Sequence, residues 1–160
     1  MKPVPSSKPS QFARKFLIVG YGNDLMQDDA VGVLAARRLS RVLPKRLATV
    51  LSFHQLMPEL AEPISQAKEV HFIDADRSLK PGKIKRRVLK AGHPTPKSLG
   101  HHQHPDDLLT FAKSIYGRAP KAILWSIGGQ SFGFSEKATA AVREAMKEVV
   151  GEIERRVQPM

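Results

Sequence analysis

Residues 16–32, FLIVGYGNDLMQDDAVG, constrain the fold of this chain more than any other stretch. Phe16, Leu17, Ile18 and Val19 have the length and β-rich composition of a fully buried strand. Gly20 and Gly22 permit a sharp turn, because glycine takes positive φ at little steric cost. Downstream, Val31, Leu34, Ala35, Leu39 and Val42 recur at helical spacing, with Arg37, Arg38 and Arg41 between them. The pattern predicts a strand, a loop at its carboxyl end closed by Asn23, and a helix starting near Asp29. Open α/β sheets place ligands at that edge.

Charge narrows what such a loop can hold. A dinucleotide fingerprint needs a third glycine and a bare helix N-terminus for pyrophosphate, but Leu25 replaces the glycine and two adjacent acids, Asp28 and Asp29, occupy the anion's place. No G-K-[ST] follows, so a P-loop is excluded. The loop is built for a cation or a positively polarised group. One aspartate suffices as an N-cap, worth about 1 kcal/mol, and Asp28 is read as that cap. A second acid, Asp29, calls for another role.

The remaining chain alternates in type without internal repeats. Strands are expected at 48–53, at 70–74 (VHFID, ending in Asp74), at a polar edge near 84–89, and at 121–127 (KAILWSI). Pro58 suits the first turn of a short helix, Pro105 starts another that Gly117 closes, and 138–157 forms a long amphipathic helix. Strands alternating with helices predict an α/β domain, a mostly parallel sheet with helices on both faces, spanning 16–157. Residues 1–15, rich in Pro, Ser and Lys, read as a disordered basic lead-in. The chain of 160 residues has no cysteine, which excludes disulfides, a thiol nucleophile and Cys-type metal sites. No apolar run approaches the ~20 residues of a membrane span, and the polar N-terminal stretch lacks a signal peptide's apolar segment, so a cytoplasmic protein is expected.

The net charge of +11 invites a nucleic-acid reading. Its densest part is 77–97, where Arg77, Lys80, Lys83, Lys85, Arg86, Arg87, Lys90 and Lys97 occur without one acid. That stretch holds no aromatic residue for base stacking and no recognised nucleic-acid module. A solvated hairpin face or a protein-docking surface accounts for it better.

Parallel strands bring chemically capable residues to one edge. Asp29 follows the first strand, Asp74 ends the third, and the loop with His101, His102 and His104 leads into a helix at the same edge. Two carboxylates and an imidazole suit a borderline divalent ion such as nickel or zinc. Alternatively, Asp74 caps a turn and the histidines belong to a solvated loop. No G-x-S-x-G elbow is present, which argues against a covalent acyl-enzyme.

Taken in order, GYGNDLMQDDAVG, FIDAD followed by KPG, and GHHQHPDDLLTFA resemble the hydrogenase maturation protease family over roughly residues 16–150. The resemblance implies a single three-layer α/β domain with a twisted five-stranded sheet. It implies a metal-dependent, aspartate-type endopeptidase that removes the C-terminal extension of a nickel–iron hydrogenase large-subunit precursor. The metal-contacting carboxylates map to Asp29 and Asp74 and the histidine to His101, which serve as both catalytic and metal residues. Gly22, Asn23, Asp28, Gly128 and Gly129 are assigned to loops that carry the substrate. The nickel is the precursor's own, with another divalent metal standing in when the protein is isolated; membrane and nucleic-acid partners are not expected. A non-cleaving scaffold that binds the nickel site of an assembly intermediate is the alternative. The family's glycine-threonine turn after the second strand is replaced by FHQLMPEL, whose His54 is a candidate for an added ligand.

Overall fold

The computed structural model describes residues 15–96, 103–135 and 137–159. Its elements follow in order: β1 (Phe16–Tyr21), a 3-10 turn (Gln27–Ala30), α1 (Val31–Val42), β2 (Ala48–Phe53), a second 3-10 turn (Pro58–Leu60), α2 (Ala61–Gln66), β3 (Glu69–Asp76), β4 (Ile84–Leu89), α3 (Pro105–Tyr116), β5 (Lys121–Gly128) and α4 (Ala140–Val157). The five strands lie in the order β2-β1-β3-β5-β4. Every pairing is parallel except that of β4 with β5, which is antiparallel. The expected α/β architecture, with five strands, is the one found.

Alternation along each strand divides the core between two faces. Ile18, Ile73, Ile123, Trp125 and Ile127 pack under α1 and α4 with Leu39, Val142, Val149 and Ile153. Leu17, Val19, Phe72 and Leu124 point the other way, against α2 and α3 with Ile64, Leu108 and Leu109. Burying a side chain of this size contributes roughly 1.5–3 kcal/mol. The strands' continuous apolar runs therefore follow from a sheet covered on both sides.

Two sequence readings shift by a few residues. β3 does not end at Asp74 but continues through Asp76, because Ala75 and Asp76 find partners in Ile127 and Gly128 of β5. Pairing with β1 stops at Gly20 opposite Ile73, so Asp74 is the first β3 residue beyond that ladder. The helix expected near Asp29 begins as a 3-10 turn, and α1 proper starts at Val31.

Helix α1 lies against β1 and β3 at glycine. A Cβ on Gly32 would sit 2.3 Å from the Ile73 carbonyl oxygen and 2.6 Å from that of Tyr21, and one on Gly20 would sit 2.0 Å from the Gly32 carbonyl oxygen. These are backbone atoms that cannot swing aside. Gly32→Ala should therefore destabilise the fold by about 3 kcal/mol or more through forced separation of helix and sheet. Gly133→Ala, where a Cβ meets nothing within 4 Å, should change it by no more than about 0.5 kcal/mol. Denaturant unfolding of both variants checks the contrast; equal losses would contradict it.

At the opposite, amino edge the core holds a polar network. Trp125 Nε1–H donates to His71 Nδ1 (2.9 Å), so His71 carries its proton on Nε2 and donates to Glu69 Oε1 (2.7 Å). Arg156 of α4 grips both Glu69 oxygens, with Nη2 2.9 Å from Oε2. Burial would raise Glu69, but the His71 and Arg156 hydrogen bonds outweigh it and hold the carboxyl at about 2. Burial pushes His71 below its usual 6.5. Both shifts are downward, so the stability they contribute is present above the unfolded values and lost as pH falls, from 6.5 for His71 and between 4.5 and about 2 for Glu69. Glu69→Gln should cost about 1–2 kcal/mol at neutral pH, because buried His71 and the partly solvated Arg156 both lose a charged acceptor. It should also flatten the acid limb of the stability curve below pH 4.5. Urea unfolding across that range measures both effects.

Candidate functional site

The carboxyl edge between β1 and β3 is where acids gather. Tyr21, the last residue of β1, and Asp74 of β3 share the face that carries Phe72 and Val19. The Tyr21 hydroxyl donates to Asp74 Oδ2 at 2.9 Å. Among the described residues no hydrogen bond reaches the buried Asp74 Oδ1. Burial raises Asp74 above the ordinary carboxylate range, the Tyr21 hydrogen bond and the nearby Ser126 hydroxyl oppose this, and the charges of Asp76 and Asp29 add to the rise. Ser126 stands directly opposite Asp74 in the β3–β5 register. Burial, reinforced by the Asp74 charge, raises the Tyr21 phenol, so it stays a donor. An unpartnered buried carboxylate oxygen costs about 1–3 kcal/mol. A proton or a cation at that oxygen removes the cost, and the charges of Asp76 and Asp29 favour either.

Asp29 is held by the loop that precedes it. Its Oδ2 accepts the Asn23 backbone N–H at 2.8 Å, while Asn23 Oδ1 accepts the Leu25 N–H at 3.0 Å in an Asx turn. Gly22 adopts φ 144°, and a Cβ there would lie 2.1 Å from the Asp29 carbonyl oxygen. Gly22 and Asn23 thus shape the turn that places Asp29.

Its neighbour Asp28 turns inward. Asp28 is fully buried. Oδ2 accepts the backbone N–H groups of Gln130 (2.7 Å) and Ser131 (2.9 Å) and the Thr139 hydroxyl (2.9 Å), and Oδ1 accepts the Thr139 N–H (2.7 Å). Burial alone would raise its pKa, but the donors from Thr139, Ser131 and Gln130 prevail and lower it. Asp28 does not cap its own helix. It ties the 129–139 segment to the start of α1, helped by Gln27 N–H to the Ser135 carbonyl (2.9 Å) and Ser135 N–H to the Leu25 carbonyl (3.2 Å). Gly128 and Gly129 open this segment: a Cβ on Gly128 would meet the Lys80 carbonyl at 2.0 Å, and one on Gly129 the Phe132 ring at 2.3 Å.

His101 and His102 lie outside the described residues, and His104 is exposed at the N-cap position of α3. His54 is exposed just beyond the end of β2. Among the described residues no three His, Cys, Asp or Glu side chains form a cluster fit for a metal ion. The structure therefore brings Asp29 and Asp74 to one edge. Tyr21 and Ser126 are the polar residues that sequence reasoning missed; the signal was an aromatic with a polar tip ending the first strand.

The basic stretch divides between faces. Arg87 pairs with Asp106 of α3 at 3.2 Å, whereas Arg86, on the opposite face, lies 5.6 Å from the Trp125 ring centroid. Arg77 stacks over Phe132 at 4.1 Å. No helix among the described residues is long and apolar enough to cross a membrane.

This fold is similar to that of solved hydrogenase maturation proteases. The hydrogenase maturation protease HycI of Thermococcus kodakarensis KOD1 superposes with a TM-score of 0.68 at 22% identity, over 89% of this chain and 92% of that one. The hydrogenase 2 maturation peptidase of Thaumarchaeota archaeon SCGC_AB-539-E09 gives 0.66 at 23% identity, over 90% and 98%. The hydrogenase maturating endopeptidase HybD of E. coli gives 0.63 at 19% identity, over 89% and 91%. No family profile and no curated protein matches the sequence.

The two adjacent aspartates should part in their effects on stability. Asp28→Asn turns an amide NH2 towards backbone donors and should cost about 2–3 kcal/mol. Asp29→Asn, whose Oδ2 has the single Asn23 amide to satisfy, should change stability by less than about 1 kcal/mol. Thermal melts distinguish the two; a neutral Asp28→Asn would remove Asp28 from its structural role.

Proposed function

We propose that this protein is an endopeptidase that removes the C-terminal extension of a nickel–iron hydrogenase large-subunit precursor, recognising the nickel that the precursor already holds. One observation carries the reading: Asp74 Oδ1, buried and without a hydrogen-bond partner among the described residues, lies near Asp29 at the carboxyl edge of a fold similar to that of the maturation proteases. The precursor's nickel is a borderline divalent cation that suits carboxylate donors such as Asp29 and Asp74. A nickel ion polarises a bound water or carbonyl.

The chain's own residues have distinct tasks in this reading. Asp29 and Asp74 hold the incoming cation, with His101 as the third donor. Tyr21 occupies Asp74 Oδ2 and so leaves Oδ1 for the cation. The Asn23 amide fixes the Asp29 carboxylate in place before substrate arrives. The scissile peptide is thereby held next to the site, where a water adds to its carbonyl carbon and gives a proton to a carboxylate; the C–N bond then breaks, that proton passes to the departing amine, and a new C-terminal carboxylate remains. Cysteine is absent, so no thiol nucleophile competes with this route.

The test is processing of a candidate precursor, read as a size shift. Asp29→Asn and Asp74→Asn should each abolish the shift while leaving the fold within about 1 kcal/mol of the parent. Nickel-loaded precursor should be cut and nickel-free precursor left intact. Full activity in either amide variant would overturn the cation-binding role of these acids. Equal cutting of both precursors would mark an ordinary protease, and tight binding without cutting would mark a scaffold.

A further inference from the structure

β4 is an edge strand, hydrogen-bonded to β5 on one side. The ladder's phase identifies which of its backbone groups face outward. Gly128 N–H donates to the Lys83 carbonyl at 2.8 Å and the Gly128 carbonyl accepts the Gly82 N–H at 2.8 Å, a bulge at Gly82-Lys83 that fixes the ladder's phase. Antiparallel pairing alternates, so Lys85, Arg87 and Leu89 bond to Ser126, Leu124 and Ala122, and the N–H and C=O groups of Ile84, Arg86 and Val88 point away from the sheet. Among the described residues no group outside the sheet hydrogen-bonds to them. The four residues from Lys85 to Val88 are all exposed. Past the end of β4 lies a cavity of about 400 Å³ whose walls include Val88, Ala91 and Pro120 together with Lys90, Lys113 and Lys121. Val88 is 45% exposed at its mouth. Among the described residues no acid forms an ion pair with Lys90, Lys113 or Lys121.

Cations on an edge strand ordinarily prevent like strands from pairing. Here they do so selectively. A second copy of β4 would bring Lys85, Arg86 and Arg87 against the same charges, while a strand of opposite sign would be drawn in. We propose that the free edge of β4 docks an extended, acidic segment of a partner protein, which joins the sheet as a further strand and places an apolar side chain in the cavity beside Val88. Backbone hydrogen bonds from Ile84, Arg86 and Val88 supply the pairing, and the basic stretch supplies the choice of sign. β4 begins opposite Ile127 of β5, which in turn pairs with Ala75 between Asp74 and Asp76 of β3, so a segment laid along β4 runs to the same end of the sheet as the candidate site. That last step rests on the endopeptidase reading; the docking itself does not.

The experiment uses the full chain and a fluorescein-labelled peptide of alternating valine and glutamate, about eight residues long, the reach of an ordinary strand. Fluorescence anisotropy should show binding that weakens as salt rises over the range in which exposed charges are screened. N-methylation of the amides on one edge of the peptide, or Val88→Pro in the protein, should weaken binding at least about tenfold, because each removes ladder hydrogen bonds. The triple variant Lys90→Ser, Lys113→Ser, Lys121→Ser leaves the ladder untouched and should weaken binding by several-fold, which covers the case in which Val88→Pro does not fold. Absence of binding, or equal binding of the N-methylated peptide, would overturn the proposal. So would tighter binding of an oligothymidine of equal charge, or a dimer of the protein that Val88→Pro abolishes. Peptide binding without cleavage of any precursor would leave the docking site standing and remove the endopeptidase; cleavage without peptide binding would do the reverse.

Discussion

Helix α1 can approach β1 and β3 closely because Gly20 and Gly32 present no side chains where the two layers meet. That contact sets the geometry of everything at the carboxyl edge. It brings the 27–30 turn down beside the ends of two parallel strands, so Asp29 arrives near Asp74 although 45 positions separate them in the chain (74 minus 29). Gly22 extends the same logic, since its positive φ and missing side chain let the loop fold back over the Asp29 carbonyl. The glycines are thus spatial requirements of the site as much as turn formers.

Three neighbouring acids then meet three different environments. Asp28 is fully buried, yet four donors keep it ionised and make it a clamp on the 129–139 segment. Asp29 receives one backbone amide and stays at the loop's inner surface. Asp74 has one oxygen satisfied by Tyr21 and the other without a partner among the described residues. Burial without full hydrogen bonding is what distinguishes a carboxylate that can take a ligand from one that holds the fold together. The polar network of Glu69, His71, Trp125 and Arg156 at the other edge is fully paired and belongs to the second kind.

Much of this was readable before any coordinates. The apolar runs at 16–19 and 121–127 and the helical spacing of 140–157 are strong because burial on both faces of a sheet, or on one face of a helix, leaves a simple periodic trace. The role of Asp28 left no such trace, because its donors lie 102 to 111 positions away. The end of β3 was misplaced at Asp74 for a related reason: Ala75 and Asp76 extend the strand by pairing with β5, and strand pairing is not written in local composition. The antiparallel direction of β4, and with it the division of the basic stretch between two faces, depends on the Pro81-Gly82 turn returning the chain beside β5. The histidine assignment rests on residues outside the described structure.

The central claim is that Asp29 and Asp74 form one cation-binding edge through the oxygen that Tyr21 leaves open. Anomalous diffraction from crystals of the protein soaked with nickel tests it most directly. The account predicts an anomalous peak in contact with Asp74 Oδ1 and the Asp29 carboxylate, with the Tyr21 hydroxyl still on Asp74 Oδ2. A nickel peak elsewhere on the molecule, with Asp74 Oδ1 still unoccupied beside an empty edge, would contradict it.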